Sequence, residues 1–370
     1  MKKCLLLGFF GHRNLGDDLL YEEAIDKIPA EYQIYTNGNC PSPDDLKREN
    51  VTLVHSIREV LSNKYDLIIA NGGGVFPSLQ YGWKCLFHDF LLRLRSKLMV
   101  INGVGIVPKK GIGNRIRFRM FLMLLDYRSV RDNVSKTFVD ELMGGGGSCT
   151  NCHDLYFGRK LLSPKEYRSG VLVCMANPYG NKEMSMEHFQ KRYRLFIKIV
   201  QTAILKLKEQ YGSVSFLPFY QGSDEIIIKD IMQHPQLSNS HILEKGKDFK
   251  IDNVDLLFSK FKIGLCMRFH SFVLATRNCL PFVGICYDYK SESLLSEMNL
   301  SEIGIRYGIR KSNFFGLEVD INEVDILGNI DYVIEHYSAI EKRLDDCRRK
   351  FHKEVLDNYN NIYSLIKSKI

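Results

Sequence analysis

The stretch IGLCMRFHSFVLATRNCLPFVGICYDYK, residues 263–290, constrains the fold more than any other part of the chain. One apolar run ends in Arg268 and His270, a short helix opens at Ser271, and a second apolar run ends in Asp288 and Lys290. Two strands joined through a helix run parallel, whereas an antiparallel pair needs only a tight turn. The crossover then delivers all four polar residues to one edge of the sheet. Ligands of open α/β sheets bind outside the carboxyl ends of the strands, so this edge is a candidate site. Arg268 and His270, beside the amides of a helix start, suit a small anion carrying carboxylate or phosphate.

The same alternation runs through the chain. Strand patterns at 3–7, 32–36, 51–55, 65–71, 97–103 and 127–132 alternate with helical segments from about Asp18 to Lys27 and around 84–95 and 115–125. After the glycine run at 144–147 the pattern restarts with strands at 170–177 and 214–220. Between them lies a long helix over 187–212, ended by Gly212, and a charged helical stretch covers 331–368. The expected fold class is α/β, with two Rossmann-like domains and an inter-domain cleft. A length of 370 residues is too great for one core and suits two domains. The expected divisions are 1–157, 158–330 and a carboxy-terminal helical segment, 331–370.

Composition excludes several classes. The chain is 45% hydrophobic and 25% charged, as a soluble globular protein is. Its apolar runs stop short of the ~18 residues a membrane span needs. The start, MKKCLLLGFFGHRNLGDD, reads as a first strand rather than an export signal. Its apolar run breaks at His12 and Arg13 and no small-residue cleavage site follows, so the expected location is cytoplasmic. The cysteines fit that compartment, since Cys4, Cys174, Cys266 and Cys286 sit in apolar strand patterns as small core residues. Cys149, Cys152 and His153 match the haem-attachment spacing, but without an export signal and beside a glycine run they read as linker. A zinc site would want a second ligand pair, so neither metal nor cofactor is expected.

The net charge is +8, and six basic residues fall in 109–128: Lys109, Lys110, Arg115, Arg117, Arg119 and Arg128. They are interleaved with Phe118, Phe121, Leu122, Leu124 and Leu125. One reading is an amphipathic helix with a solvated basic side. The other is a surface that meets acidic lipid head groups, which attract each basic residue by about 1 kcal/mol. No nucleic-acid-binding motif is present, and no nucleic-acid partner is expected.

Further candidates lie in the first half. Gly8, Gly11 and Gly16 do not fit the G-x-G-x-x-G spacing, so a nicotinamide cofactor is not supported. Asn14, Gly16, Asp17 and Asp18 stand at a helix start; one aspartate is expected to cap that helix, leaving the other for the cleft. Gly72, Gly73 and Gly74 follow a strand and let backbone approach a ligand closely, as does GVGIVP at 103–108. Arg131 ends a strand before a helix capped by Asp132 or Asn133, making it the counterpart of Arg268. One arginine at a strand end is commonly a plain surface charge; several such loops on one edge argue for a site. Histidines such as His55 and His88 read as structural. His270 differs in having Arg268 two residues away, and its tunable pKa suits proton transfer.

These motifs together resemble the polysaccharide pyruvyl transferase family. They are GHRNLGDD (11–18), NGGG (71–74), GVGIVP (103–108), VRDNVS (130–135), Asp154 of HDLYF, LPFYQGSD (217–224), and CMRFHS with PFVGICYDYK (266–290). The resemblance spans roughly residues 1–290 and is most specific at MRFHS with its trailing YDYK. Family members often carry an acidic residue shortly after the triple glycine, whereas here FPSLQ follows.

The resemblance implies a GT-B-like fold. It also implies transfer of the enolpyruvyl group of phosphoenolpyruvate to a sugar diol, giving a pyruvate ketal and phosphate in surface polysaccharide biosynthesis. On that reading Arg268 and Arg131 hold the two ends of phosphoenolpyruvate across the cleft. Phe269, Lys290, Asn14, Gly16, Gly72, Gly73 and Gly74 line the substrates, and His270 works with Asp17 or Asp18 in acid–base chemistry. The expected partners are phosphoenolpyruvate and a sugar acceptor, with a lipid-diphosphate-linked sugar fitting loose peripheral association with the inner face of a membrane. The alternative is a GT-B glycosyltransferase with a nucleotide-sugar donor, in which Arg268 and Lys290 meet the diphosphate. A third reading is a sugar-binding protein without the chemistry.

Overall fold

Strands that are apolar on both faces can only be satisfied between two layers of helices, and this chain builds two such parallel sheets. The computed structural model describes residues 1–37, 50–73, 82–106, 111–162, 167–177, 187–308 and 322–370. These divide into one unit of Met1–Arg159 with Phe351–Ile370, and a second of Lys160–Lys350. The carboxy-terminal segment, expected to stand by itself from 331, is therefore shared between the two units.

The first unit contains β1 (Lys2–Leu7), α1 (Leu15–Lys27), β2 (Tyr32–Asn37), β3 (Val51–Val54), α2 (Ile57–Ser62) and β4 (Tyr65–Asn71). It continues with α3 (Trp83–Leu94), β5 (Ser96–Val104), α4 (Ile112–Met123), β6 (Tyr127–Val130), α5 (Asn133–Met143) and β7 (Thr150–Asn151). The strands lie in the order β3-β2-β1-β4-β5-β6-β7, all parallel. Growth of the sheet reverses between β1 and β4, and at such a switch point the loops on either side splay apart and leave a crevice.

In the second unit come β8 (Val171–Cys174), α6 (Glu187–Tyr211), β9 (Val214–Phe216), α7 (Asp224–Ile231), β10 (His241–Ile242) and α8 (Val254–Phe258). Then follow β11 (Ile263–Cys266), α9 (Phe269–Arg277), β12 (Phe282–Cys286), α10 (Tyr289–Glu297), β13 (Gly304–Arg306), α11 (Glu323–Glu335) and α12 (Tyr337–Lys369). The parallel order is β10-β9-β8-β11-β12-β13, with the switch point between β8 and β11. Every residue of β8, β11 and β12 is buried.

Two helices open earlier than expected, α1 at Leu15 rather than about Asp18 and α9 at Phe269 rather than Ser271. The CTNCH segment is a correction. It is not linker, because Thr150–Asn151 form β7 on the edge of the first sheet and Cys149 and Cys152 are buried there. Burial pushes both thiols up to about 12, which leaves them inert core residues. His153 stacks on Phe351 with ring centroids 3.9 Å apart, and its Nε2 lies 2.6 Å from Glu354 Oε2. The glycine run begins by ending α5, with Gly144 at φ 86° as a left-handed cap.

The basic segment forms α4 and the start of β6, and only part of its basic side is solvated. Phe118, Phe121, Leu122 and Leu125 pack into the first unit's core, and Arg117 is buried with them. Arg128 donates to the carbonyls of Leu122 (2.9 Å) and Leu125 (3.0 Å), leaving Arg115 and Arg119 exposed. Lys109 and Lys110 lie outside the described residues.

Candidate functional site

In the second unit a fully buried carboxylate organises the sheet edge. Asp224, at the start of α7, accepts from the backbone N–H groups of Tyr220 (2.8 Å), Phe219 (3.2 Å) and Asn177 (3.3 Å). It also takes a two-pronged bond from Arg268, whose Nε donates to Oδ2 at 3.0 Å and whose Nη2 donates to Oδ1. Arg268 Nη1 reaches the Tyr287 hydroxyl at 3.4 Å, and the guanidinium lies 5.8 Å from the Tyr220 ring centre. One side chain thus ties together the loops that leave β8, β9 and β11, and through Arg268 the loop that leaves β12.

The electrostatics explain why this carboxylate is required. Arg268 is the N-cap residue of α9, and His270 sits in the first turn. A cation at a helix amino terminus opposes the helix dipole, so the Arg268 guanidinium needs a compensating anion. Burial works against the Arg268 charge, but the Tyr287 phenol and the Asp224 carboxylate outweigh it and hold the pKa above its ordinary value. Burial, reinforced by neighbouring Asp288, pushes the Tyr287 phenol up to about 12, so it stays a neutral hydroxyl. His270 and Phe269 are half-buried on the same turn, their rings edge to face at 5.4 Å. Asp288 caps α10 by accepting from Lys290 N (3.1 Å) and Ser291 N (3.3 Å), and Lys290 Nζ lies 3.6 Å from its Oδ2. Arg268, Phe269, His270 and Lys290 therefore share one edge, at the ends of the adjacent strands β11 and β12.

The first unit arranges its candidates around its own switch point. Asn14 caps α1: its Oδ1 accepts from Gly16 N at 3.2 Å, and its Nδ2 donates to Asp17 Oδ2 at 2.6 Å. The expectation that an aspartate caps this helix is overturned, because Asn14 is the residue with extended backbone just before the first turn. Asp18 is buried and accepts from Gly11 N at 3.3 Å, which folds the loop back over the helix start, whereas Asp17 is half-buried.

Across the switch point, Gly72 and Gly73 take φ of 63° and 59°, and a Cβ on Gly72 would stand 2.5 Å from Leu20 Cδ1. Gly74 lies outside the described residues. Gly72 N donates to Asn102 O at 2.9 Å and Gly105 N to Gly73 O at 2.8 Å, so the loops after β4 and β5 are held together. Arg131 is nearly buried against Gly105, where a Cβ would meet Arg131 Nε at 2.6 Å. Its guanidinium lies 3.9 Å from Asp132 and 4.0 Å from Asp154, and Asp132 caps α5 through Ser135 N at 2.7 Å.

Two features escaped the sequence reading. Asp224 lies inside LPFYQGSD with no role assigned to it above; its one signal is a charged residue on a strand-end loop, the placement that Arg131 also has. The other is a buried amide chain beneath the glycine loops. Asn102 Nδ2 donates to Asn71 Oδ1 (2.6 Å), while Asn358 Nδ2 donates to Asn102 Oδ1 (2.6 Å) and Tyr127 OH to Asn358 Oδ1 (2.9 Å). Among the described residues no group of three or more His, Cys, Asp or Glu is placed to hold a metal ion. No helix among them is long and apolar enough to cross a membrane.

Comparison with known proteins agrees with this architecture. The family model for polysaccharide pyruvyl transferase matches residues 14–289, more than half of the chain. No curated protein matches it in sequence. Among solved structures it is similar to UDP-GlcNAc 2-epimerase from Neisseria meningitidis bound to UDP-GlcNAc, with a TM-score of 0.54 at 13% identity, covering 100% of both chains. The UDP-GlcNAc 2-epimerase from Methanocaldococcus jannaschii gives a TM-score of 0.53 at 12% identity over 90% of this chain and 92% of that one. The lipopolysaccharide outer core galactosyltransferase WaaB in its apo form gives 0.53 at 9% identity over 98% and 99%. At such identities the likeness establishes the fold, a two-domain Rossmann-like GT-B arrangement.

Proposed function

The chain belongs to the polysaccharide pyruvyl transferase family and is a pyruvyl transferase, and we propose that its donor is phosphoenolpyruvate, held at the second unit's sheet edge by Arg268 and His270. The observation that carries this reading is the Arg268–Asp224 pair at the first turn of α9, beside the switch point between β8 and β11. A rigid guanidinium, helix amides and a histidine on one turn suit a compact anion bearing phosphate and carboxylate. Asp224 holds the guanidinium plane in place, so little ordering remains to be done when the donor arrives. Lys290 adds a second cation at the neighbouring strand end.

The reaction forms two C–O bonds and breaks one. A proton goes to the methylene carbon of the donor, making the methyl group, and a sugar hydroxyl attacks the central carbon as its positive charge develops. Phosphate leaves with the bonding pair, and a second hydroxyl closes the ketal. The diol supplies two protons, one replacing that given to the methylene carbon and the other leaving with phosphate. We assign His270 to proton transfer or to stabilising the departing phosphate, and Asp17, the more exposed of the two loop aspartates, to the acid–base role in the first unit. Asn14 and the Gly72–Gly73 turn supply the polar, closely approachable backbone for sugar hydroxyls. Arg131 enters as the cation of the first unit's edge. Because it already faces two carboxylates, its loss should loosen the loop after β5 as well as weaken substrate binding.

The acceptor is proposed to be a sugar diol of a surface polysaccharide precursor, built in the cytoplasm and carried on a lipid diphosphate. Phosphate release from phosphoenolpyruvate, measured against galactose- and mannose-type acceptors, tests the reading. Release of nucleotide from a nucleotide sugar, without phosphate release from phosphoenolpyruvate, would replace it with a glycosyltransferase. Binding without turnover of either donor would leave a sugar-binding protein.

A further inference from the structure

Helices α3 and α4 are each apolar on two opposite sides, and among the described residues only one side of each packs into the core. On α3, Leu86 and Leu92 face the core. Trp83, Phe87, Phe90 and Leu94, spaced four, three and four residues apart, form a single stripe on the other side. On α4, Phe118, Phe121 and Leu122 face the core, while Ile112, Ile116, Met120 and Met123 form the opposite stripe. The two helices pack side by side, and the eight stripe residues are 46 to 79% exposed. Scattered surface leucines are ordinary; two such stripes on neighbouring helices, one containing the chain's single tryptophan, are not.

The charge around the stripes selects the occupant. The only acidic residue in either helix is Asp89, and it is buried. The exposed charged residues of these helices and of the residue that follows α3 are Lys84, Arg95, Arg115 and Arg119, with Arg115 also 3.5 Å from Glu141 of α5. A second copy presenting the same face would offer these cations no exposed acidic partner from α3 or α4, which disfavours self-association. An apolar face edged with Lys and Arg, carrying Trp and Phe, is instead complementary to a leaflet of acidic lipids, with the rings at head-group depth. We propose that α3 and α4 form a docking face by which this chain rests on an anionic membrane surface. This goes beyond the pyruvyl-transfer reading and does not depend on it.

The single tryptophan makes the test direct. The full chain is mixed with vesicles of phosphatidylglycerol and phosphatidylcholine, or of phosphatidylcholine alone, and followed by flotation and by Trp83 emission. The expected result is binding to the anionic vesicles with a blue shift, and quenching by brominated acyl chains. Raising salt from about 10 mM to about 150 mM shortens the screening length from about 30 to about 8 Å and should weaken binding by roughly tenfold or more. Phe87→Glu with Ile116→Glu should abolish flotation, and Lys84→Glu with Arg119→Glu should remove the preference for anionic vesicles. All four positions are exposed, so circular dichroism should be unchanged. Equal failure to float with both vesicle types would overturn the proposal. So would a wild-type dimer that Phe87→Glu with Ile116→Glu converts to monomer while Trp83 emission ignores lipid.

Discussion

Asp224 is the residue on which the second unit's edge depends, because it satisfies three backbone donors and one guanidinium at once. Removing a partner from a buried ion pair leaves the other charge uncompensated and costs about 3–5 kcal/mol. Asp224→Ala should therefore lower the unfolding free energy of the second unit by an amount in that range, read as a lower denaturant midpoint, and Asp224→Asn by less. A midpoint unchanged in both would show that the carboxylate is dispensable. Arg268→Lys keeps the charge but loses the planar fork, and with it at least one charge-assisted bond. We expect turnover to fall roughly 10- to 100-fold, since such a bond contributes about 1.5–3 kcal/mol. His270→Gln separates hydrogen bonding from protonation. A general acid–base role predicts a loss of about 10²–10⁴-fold and a flattened pH–rate profile. Full activity with an unaltered profile would return His270 to a structural contact.

Elements carry the next level of control. The loop after β5 lies flat on Arg131 only because residue 105 has no side chain. In Gly105→Ala a new methyl 2.6 Å from Arg131 Nε must push the guanidinium away from Asp132 and Asp154. Overpacking of this kind costs roughly 1–3 kcal/mol, and thermal unfolding of the variant measures it. Helix α12 acts over a longer reach. Its last turns bury Val355, Tyr359, Ile362 and Ile366, and Tyr363 OH donates to Lys27 O at 2.6 Å. Each such apolar side chain contributes about 1.5–3 kcal/mol by leaving water. Truncation after Lys350 should consequently leave the second unit folded while the first loses protection, which hydrogen exchange resolves unit by unit. Uniform protection in the truncated chain would contradict the division.

At the scale of the whole molecule, proton linkage sets an alkaline limit. Burial raises the thiols of Cys149, Cys152 and Cys279 from 9.0 to about 12, and the phenols of Tyr32, Tyr65 and Tyr337 from 10.0 to about 12. The folded state holds these protons more tightly than the unfolded state. Stability is therefore fully present below about pH 9 and lost as pH rises towards 12. Chemical denaturation at about pH 8 and about pH 11 should show the decline, with Tyr65→Phe reducing it; a flat profile between them would contradict the assignment.

How far local sequence reaches into this fold follows from the range of the interactions concerned. The doubly wound class came from local rules, since an apolar strand, a short helix and another apolar strand can close only in parallel, as β11, α9 and β12 do. Arg268 and His270 could be placed on a sheet edge for the same reason. The Asn14 cap was missed because cap position depends on where the backbone leaves the extended region, and three residues nearby have cap-forming side chains. Asp224 was missed because its partner is 44 residues away in sequence, and they meet only because β8 lies between β9 and β11 in the sheet. Strand order is decided by the competition among all crossovers, and no local pattern encodes it. The exposed stripes of α3 and α4 have the same origin: a helix apolar on two sides shows one periodicity whichever side meets the sheet. Tertiary contact alone chose Phe118, Phe121 and Leu122 for the core and left Ile116 and Met120 to water.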